Sequence, residues 1–427
     1  MRTRVFSQVW ATCLILYFLS QILFLVNIQF PPTHNFDEFH YVPAAKELLA
    51  TGTNRNWEHP PLGKEILALG IALWGDRPIG WRFMSTVFGA LTLVGMYLWA
   101  LALFRRRNVA LWVAALTFFN HLLYVQARIG MLDTFLFAFL VWALAAFTAA
   151  WDPDSSPNRT KFLLYGTGIL LGLATAAKWS GVVAWAACIG LVAGIYVLKY
   201  LGISASTRAS RGNAWYDPGL WPGMRLQHWL LAFLVIPVVV YLVTFLPFGA
   251  PGELLSMQKR MWEGQLRVVT PHPYMSNWWD WAILKRPIWY AFDREPGDWV
   301  RGVLLLGNPF VMWTGLLALV GCIYGWLHKQ ERAGFLILAF YVAFYFSWIF
   351  IPRKISFYYY YYPAGMVLGL ALAYCFELLG NFPRFRNLRY VYLGIAAGVF
   401  FYFFPILAAL RIRPEAFRNW MWFSSWI

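Results

Sequence analysis

Long apolar runs alternate with short polar breaks along almost the whole chain. A helix of about 20 apolar residues crosses a bilayer. By that measure eleven segments qualify: 8–28, 80–103, 109–126, 131–150, 162–180, 182–200, 229–247, 303–326, 333–350, 357–379 and 390–410. The third and fifth are short. Arg128 and Asp133 interrupt the boundary after the third, and Lys178-Trp179-Ser180-Gly181 the boundary after the fifth. Two long stretches, 29–79 and 248–302, escape the pattern and are rich in Trp, Pro and His. They read as loops that carry interfacial or re-entrant helices rather than as linkers. The predicted architecture is an all-α polytopic membrane protein, one transmembrane domain over 1–427, with four spans in 303–427.

Composition supports this picture. Of 427 residues 60% are hydrophobic and 13% charged, which excludes an ordinary soluble domain. The formal net charge of +16 would suit nucleic acid, but the cations are scattered between apolar runs and form no basic domain. An anionic membrane surface or an anionic lipid substrate fits them better. Cys13, Cys188, Cys322 and Cys375 all fall in apolar runs without metal spacing and read as small buried hydrophobes. Met1-Arg2-Thr3-Arg4 before an apolar run resembles a signal peptide, but no small-residue cleavage site follows, so the run is kept as the first span.

Arg2/Arg4, Arg105–Arg107, Arg159/Lys161, Arg208/Arg211/Arg225, Lys329/Arg332 and Arg384/Arg386/Arg389 fall on one side of the eleven-span arrangement. The positive-inside rule makes that side cytoplasmic, with the amino terminus inside. The expected location is a bacterial inner membrane, with both long loops on the periplasmic side.

Candidate chemistry concentrates in those loops. Asp37-Glu38 follows the first span; one acid can take a proton from a hydroxyl while its neighbour orients it or holds a cation. The plain alternative is Asp37 as the cap of a helix starting near Phe39. His59-Pro60-Pro61-Leu62-Gly63-Lys64 sets an ammonium one turn into a helix, where it could meet a phosphate or merely snorkel. Glu58 and His59 with Asp37, Glu38 and His40 offer donors to a divalent cation such as Mg or Mn, but their spacing matches no metal signature. No cofactor is otherwise required. Arg128 suits bidentate phosphate binding, whereas Asp133 could simply pair with it. Lys178 could face an anion or snorkel. His272-Pro273-Tyr274, Trp278-Trp279-Asp280-Trp281 and Arg286-Pro287 could contact sugar or anchor the loop in headgroups. Arg353-Lys354, before the tyrosine run Tyr358–Tyr362, could hold a lipid phosphate beside a hydrophobic tail. Asp152-Pro153-Asp154 fits the Asp-x-Asp metal pattern of soluble nucleotide-sugar transferases but lies on the cytoplasmic side and reads as a turn; Asn158-Arg159-Thr160 is a glycosylation sequon on that same side.

Taken in order, Phe36-Asp37-Glu38-x-His40, His59-Pro60-Pro61-Leu62-Gly63-Lys64, Arg128-Ile129-x-Met131-Leu132-Asp133, Leu171-Gly172 with Lys178-Trp179-x-Gly181, His272-Pro273-Tyr274 with Trp278-Trp279-x-Trp281 and Arg286-Pro287, Asn308-Pro309 and Arg353-x3-Phe357-Tyr358 resemble the protein O-mannosyltransferase family. The resemblance implies a GT-C glycosyltransferase fold and an inverting transfer of mannose from a polyprenyl-phosphate carrier to Ser/Thr hydroxyls of exported proteins. It implies Asp37 as general base, with Glu38 supporting the acceptor or Asp37. Arg128, Lys64, Arg353, Lys354 and Lys178 are then the candidates for the donor phosphate. His40, His59, Asp133, His272, Tyr274, Trp278, Trp279 and Arg286 are the candidates for substrate contacts. The 248–302 loop is too short for the lumenal β-trefoil domain of eukaryotic members, which points to a bacterial type. A lipid or glycan acceptor, as in the aminoarabinose transferases of lipid A, stays open at this point. So does a transporter, although the charges crowd at one face rather than at mid-span.

Overall fold

The structure, a computed structural model, describes residues 2–205, 207–210, 212–267, 269–385 and 387–427, with side chains described from Ser7 onward. Arg211, Arg386 and the side chains of Arg2 and Arg4, used above for orientation, lie outside the described residues.

The order of elements follows the hydrophobic pattern closely. α1 (Arg2–Leu25) leads into a loop carrying α2 (Glu38–Thr51) and α3 (Leu62–Trp74). Next come α4 (Pro78–Phe104), α5 (Arg107–Phe118), α6 (His121–Gln126), α7 (Leu132–Ala150), α8 (Pro157–Ala177) and α9 (Gly181–Tyr200). The segment Leu226–Phe248 contains α10 (Leu226–Leu230), a π turn (Leu231–Val235) and α11 (Ile236–Val243). The second long loop carries α12 (Leu254–Leu266), the single turn α13 (Trp278–Trp281) and the strands β1 (Ile288–Glu295) and β2 (Trp299–Leu305). α14 (Pro309–Leu327), α15 (Arg332–Phe346), α16 (Tyr362–Leu379) and α17 (Leu388–Leu407) complete the bundle. Among the described residues ten helices are long and apolar enough to cross a membrane.

Local chemistry sets the helix ends. Pro78, Pro157 and Pro309 each open a helix where the missing N–H costs nothing. The Ser156 hydroxyl accepts from Arg159 N, and the Asn308 side chain from Val311 N. α7 is the hub of the first half: it packs against α4 and α8, and 78% of its apolar window is buried. α16 plays that part in the second half, between α14 and α15. α1 is the opposite case; Leu14, Ile15, Phe18 and Ile22 are each more than half exposed, as a helix facing lipid would be.

Three expectations need correction. The third predicted span, 109–126, is two helices, because the Asn120 side chain accepts from Leu122 N and starts a new helix there. The 12 residues of α5 reach only about 18 Å. The 303–326 span begins at Pro309, since Val303–Leu305 are the buried end of β2. The second long loop therefore carries an antiparallel hairpin as well as helices.

The two ends of the bundle differ in kind. At one end Arg105 pairs with Asp152 at 3.2 Å and Arg106 pairs with Glu377. There the buried Arg332 donates to the carbonyls of Trp151, Ala102 and Leu103. Asp152 is thus an ion-pair partner at that end. Both long loops lie at the other end.

Candidate active site

The first loop is pinned from behind. Glu38 is fully buried, and its carboxylate accepts from Arg82 at 2.8 and 2.9 Å, from Gly130 N at 2.8 Å and from Asn35 N at 2.9 Å. Arg82, inside the first turns of α4, also donates to the carbonyls of Ile28, Pro31 and Thr33. Two buried charges thereby satisfy each other and the backbone around them, the condition under which such a pair is tolerated. Glu38 has no capacity left for a substrate, so the expected contact with the acceptor falls away, and its support of Asp37 is limited to pinning the loop that carries it. Sequence reasoning missed Arg82. The signal was an arginine within an apolar helix, which demands an acidic partner.

Asp37 faces the other way. Its residue opens α2, yet its side chain makes no capping hydrogen bond. The carboxylate instead accepts from the hydroxyls of Tyr41 at 3.3 Å and Tyr359 at 3.4 Å. It lines a cavity of about 750 Å³ together with His40, His59, Lys178, His272, Tyr274, Arg353 and Tyr360. Burial raises the Asp37 carboxyl above the usual aspartate range, against the pull of Lys178. Burial also holds His59 well below the usual imidazole value, with Lys178 acting in the same direction. His59 Nε2 lies 3.4 Å from the Tyr41 hydroxyl and 3.5 Å from Gln265 Nε2.

A second cavity, of about 530 Å³, adjoins the first. Trp179, Val182, Val183, Trp185, Val238, Trp262 and Leu266 make its walls apolar. Glu58, His59, Lys178, Gln265, Arg353 and Tyr360 line both cavities, so the polar chamber opens into a greasy groove at a waist holding two cations. α12 covers both. It can lie close because a Cβ at Gly264 would fall 2.8 Å from the Trp57 ring, and Gln265 donates to the Glu58 carbonyl at 2.7 Å.

The two waist cations differ. Lys178, the residue after α8, bonds to Asp133 at 2.6 Å and sits over the Tyr359 and Tyr360 rings at 4.9 and 5.1 Å. The Arg353 guanidinium stacks on Tyr360 at 5.2 Å, and its Nε is buried without a hydrogen-bond partner among the described residues. A cation so placed is prepared for an anion that enters the waist.

Several predicted site residues lie elsewhere. Arg128 donates to the carbonyls of Leu407 and Val26 and stacks on Tyr124, lining neither cavity; it ties α1 to α17. Its expected partner Asp133 belongs to Lys178 instead. Lys64 is buried and donates to the carbonyls of Asn56 and His59, fixing the loop that presents His59. Burial pulls its ammonium down to about 7, against Glu58 and Glu65. Lys354 points away from Arg353 into a separate surface hollow beside Lys285 and Arg286. Arg286 donates to the backbone oxygens of Ser425, Ile427 and Pro273 and stacks on Tyr274. Trp278 packs on Tyr345 and Phe346, and Trp279 is more than half exposed. Arg128, Lys64 and Arg286 lie outside the chamber because backbone carbonyls already occupy them, and Trp278 because neighbouring rings do.

Among the described residues no three His, Cys, Asp or Glu side chains converge to hold a metal ion. The donor set expected for Mg or Mn does not assemble, since Glu38 is turned to Arg82 behind α2. Tyr41, Tyr359, Tyr360 and Gln265 were not singled out individually from the sequence. Only the tyrosine run hinted at two of them.

Comparison with known proteins is consistent with this geometry. Residues 76–248 match the family model described as dolichyl-phosphate-mannose-protein mannosyltransferase, and residues 250–426 that of the C-terminal four-span region of protein-O-mannosyltransferase. A polyprenol-phosphate-mannose–protein mannosyltransferase of Mycolicibacterium smegmatis is 26% identical, over 98% of this chain and 93% of the relative. The Saccharomyces cerevisiae protein O-mannosyltransferase Pmt1-Pmt2 complex bound to the sugar donor superposes with a TM-score of 0.81 at 15% identity, over 98% of this chain and 93% of that one. ArnT of Cupriavidus metallidurans bound to undecaprenyl phosphate gives 0.57 at 18% identity, over 93% and 64%. These likenesses show the GT-C glycosyltransferase fold.

Proposed function

The chain belongs to the protein O-mannosyltransferase family, and we propose that it moves mannose from a polyprenyl-phosphate carrier to Ser or Thr hydroxyls of exported proteins, with Asp37 as general base. The observation that carries this reading is the shared waist. Lys178 and Arg353 line both the polar chamber that holds Asp37 and the apolar groove beside it. A donor with a greasy tail, a phosphate and a sugar has that order of chemistry from end to end. Its tail lies in the groove between Trp179, Trp185 and Val238, its phosphate at Arg353 and Lys178, and its sugar against Asp37.

The reaction is an inverting displacement. The acceptor hydroxyl gives its proton to the Asp37 carboxylate, and its oxygen bonds to the anomeric carbon. The bond from that carbon to the phosphate oxygen breaks, and polyprenyl phosphate leaves with the electron pair. Burial raises the Asp37 carboxyl, which makes it a better proton acceptor than an ordinary aspartate. Arg353, with a donor nitrogen to spare, and Lys178 neutralise the charge that develops on the leaving group. The Tyr41 and Tyr359 hydroxyls hold the carboxylate in place without consuming it, their contacts at 3.3 and 3.4 Å being long.

In this reading the cavity end faces the periplasm and the arginine-rich end the cytoplasm. The test is purified protein with polyprenyl-phosphate mannose and Ser/Thr peptides, products identified by mass spectrometry. Mannosylated peptide is expected; mannose found only on lipid or glycan would overturn the acceptor assignment.

A further inference from the structure

The residue before the base has an unusual backbone. Phe36 sits at φ +48°, a left-handed conformation that L side chains rarely adopt and that glycine would take without cost. The sequence nevertheless places a large aromatic side chain there. Its ring is surrounded by four others: Tyr290 at 5.1 Å, His272 at 5.3 Å, Phe357 at 5.4 Å and Tyr359 at 6.0 Å. These come from three separate parts of the chain: β1, the loop before α13, and the segment running from Arg353 to α16. The cage is itself anchored. The Tyr290 hydroxyl donates to Gln126 at 3.0 Å, and Phe357 and Tyr359 stack on each other at 5.5 Å. One cage member, Tyr359, also reaches the Asp37 carboxylate.

We propose that Phe36 is a positioning residue whose caged ring holds the strained turn that presents Asp37, so that the base is aligned only when the Arg353–Tyr359 segment is in place beside it. The proposal rests on the reading of Asp37 as base. Strained backbone persists only where its surroundings over-determine it, and here the surroundings are the parts that build the donor site. One ring thus ties the proton acceptor to the phosphate-holding segment. Loss of the ring would let the turn relax and shift the carboxylate, the kind of small misplacement that slows chemistry without weakening ground-state binding.

The experiment compares full-length Phe36→Ala, Phe36→Gly, Tyr290→Ala and Tyr290→Phe with Asp37→Asn in the same transfer assay. Phe36→Ala is expected to lower kcat about 100-fold with donor KM within about threefold. Phe36→Gly should do no better, because relief of the backbone does not replace the ring. Tyr290→Ala should reproduce much of the loss, Tyr290→Phe, which keeps the ring and gives up only the bond to Gln126, should recover most of it, and the Phe36→Ala/Tyr290→Ala pair should be no worse than the stronger single variant. Wild-type kcat in Phe36→Gly or Phe36→Ala overturns the proposal, as does a loss shared equally between kcat and donor affinity, which would mark loss of a chamber wall or of the fold rather than of alignment, since Phe36 also lines the chamber. Full activity in Asp37→Asn would instead remove the base on which the proposal rests, whatever the Phe36 variants do.

Discussion

The two sides of α2 solve opposite problems with the same kinds of side chain. Behind it, Glu38 and Arg82 saturate each other and the surrounding backbone, and Arg128 gives both terminal nitrogens to carbonyls. In front, Asp37 keeps two long hydroxyl contacts, and Arg353 lines both cavities. Adjacent acids in one dipeptide therefore do different work. A buried charge turned to a saturating partner or to backbone carbonyls is scaffold, and one that faces a cavity is a site.

The comparison breaks most sharply at the acids themselves. Asp37→Asn should lower transfer by about 1000-fold, the range for loss of a positioned base, as read from product formation by mass spectrometry. It should not destabilise the fold. A carboxyl whose folded pKa is raised contributes stability below its unfolded pKa and loses it as pH rises through the folded value. Above that folded value the ionised Asp37 is a cost, and there the amide should leave the melting temperature unchanged or higher. Wild-type kcat/KM should correspondingly fall, as pH drops, at a higher pH than an ordinary aspartate would impose. Behind α2 the signs reverse: Arg82→Met strands the Glu38 charge and should cost about 3–5 kcal/mol, seen as lower melting or failed expression. A stable, active Arg82→Met would show that the back is not scaffold. Arg353→Met, which keeps length and loses the guanidinium, should lower kcat/KM by about 10- to 100-fold. Lys354→Met is expected to change donor KM by less than about twofold, since that side chain faces the separate hollow.

The membrane spans were legible because each is set by one local property, a sustained apolar run. Where a second property intervened, the reading slipped. Asn120 looks like one polar residue in an apolar stretch, but its side chain restarts the helix. Val303–Leu306 is as apolar as the helix that follows, and only its pairing with β1 makes most of it strand. The site was legible as a set of loops and not as a set of side chains. Charges next to hydrocarbon need partners, and sequence does not say whether a partner is a substrate or a backbone carbonyl. Arg128, Lys64 and Arg286 found carbonyls; Arg353, which nothing in the sequence sets apart from them, found a cavity. Arg82 could have been paired with Glu38 from the sequence, since an arginine inside an apolar helix beside a loop carrying two acids has few other options.

The most direct measurement is an experimental structure of the Asp37→Asn chain with a polyprenyl-phosphate mannose donor. The account predicts the phosphate within hydrogen-bonding distance of Arg353, the tail along Trp179 and Trp185, and the anomeric carbon facing residue 37. A phosphate held at Arg128 or Lys64, or a donor bound at the arginine-rich end of the bundle, would contradict it.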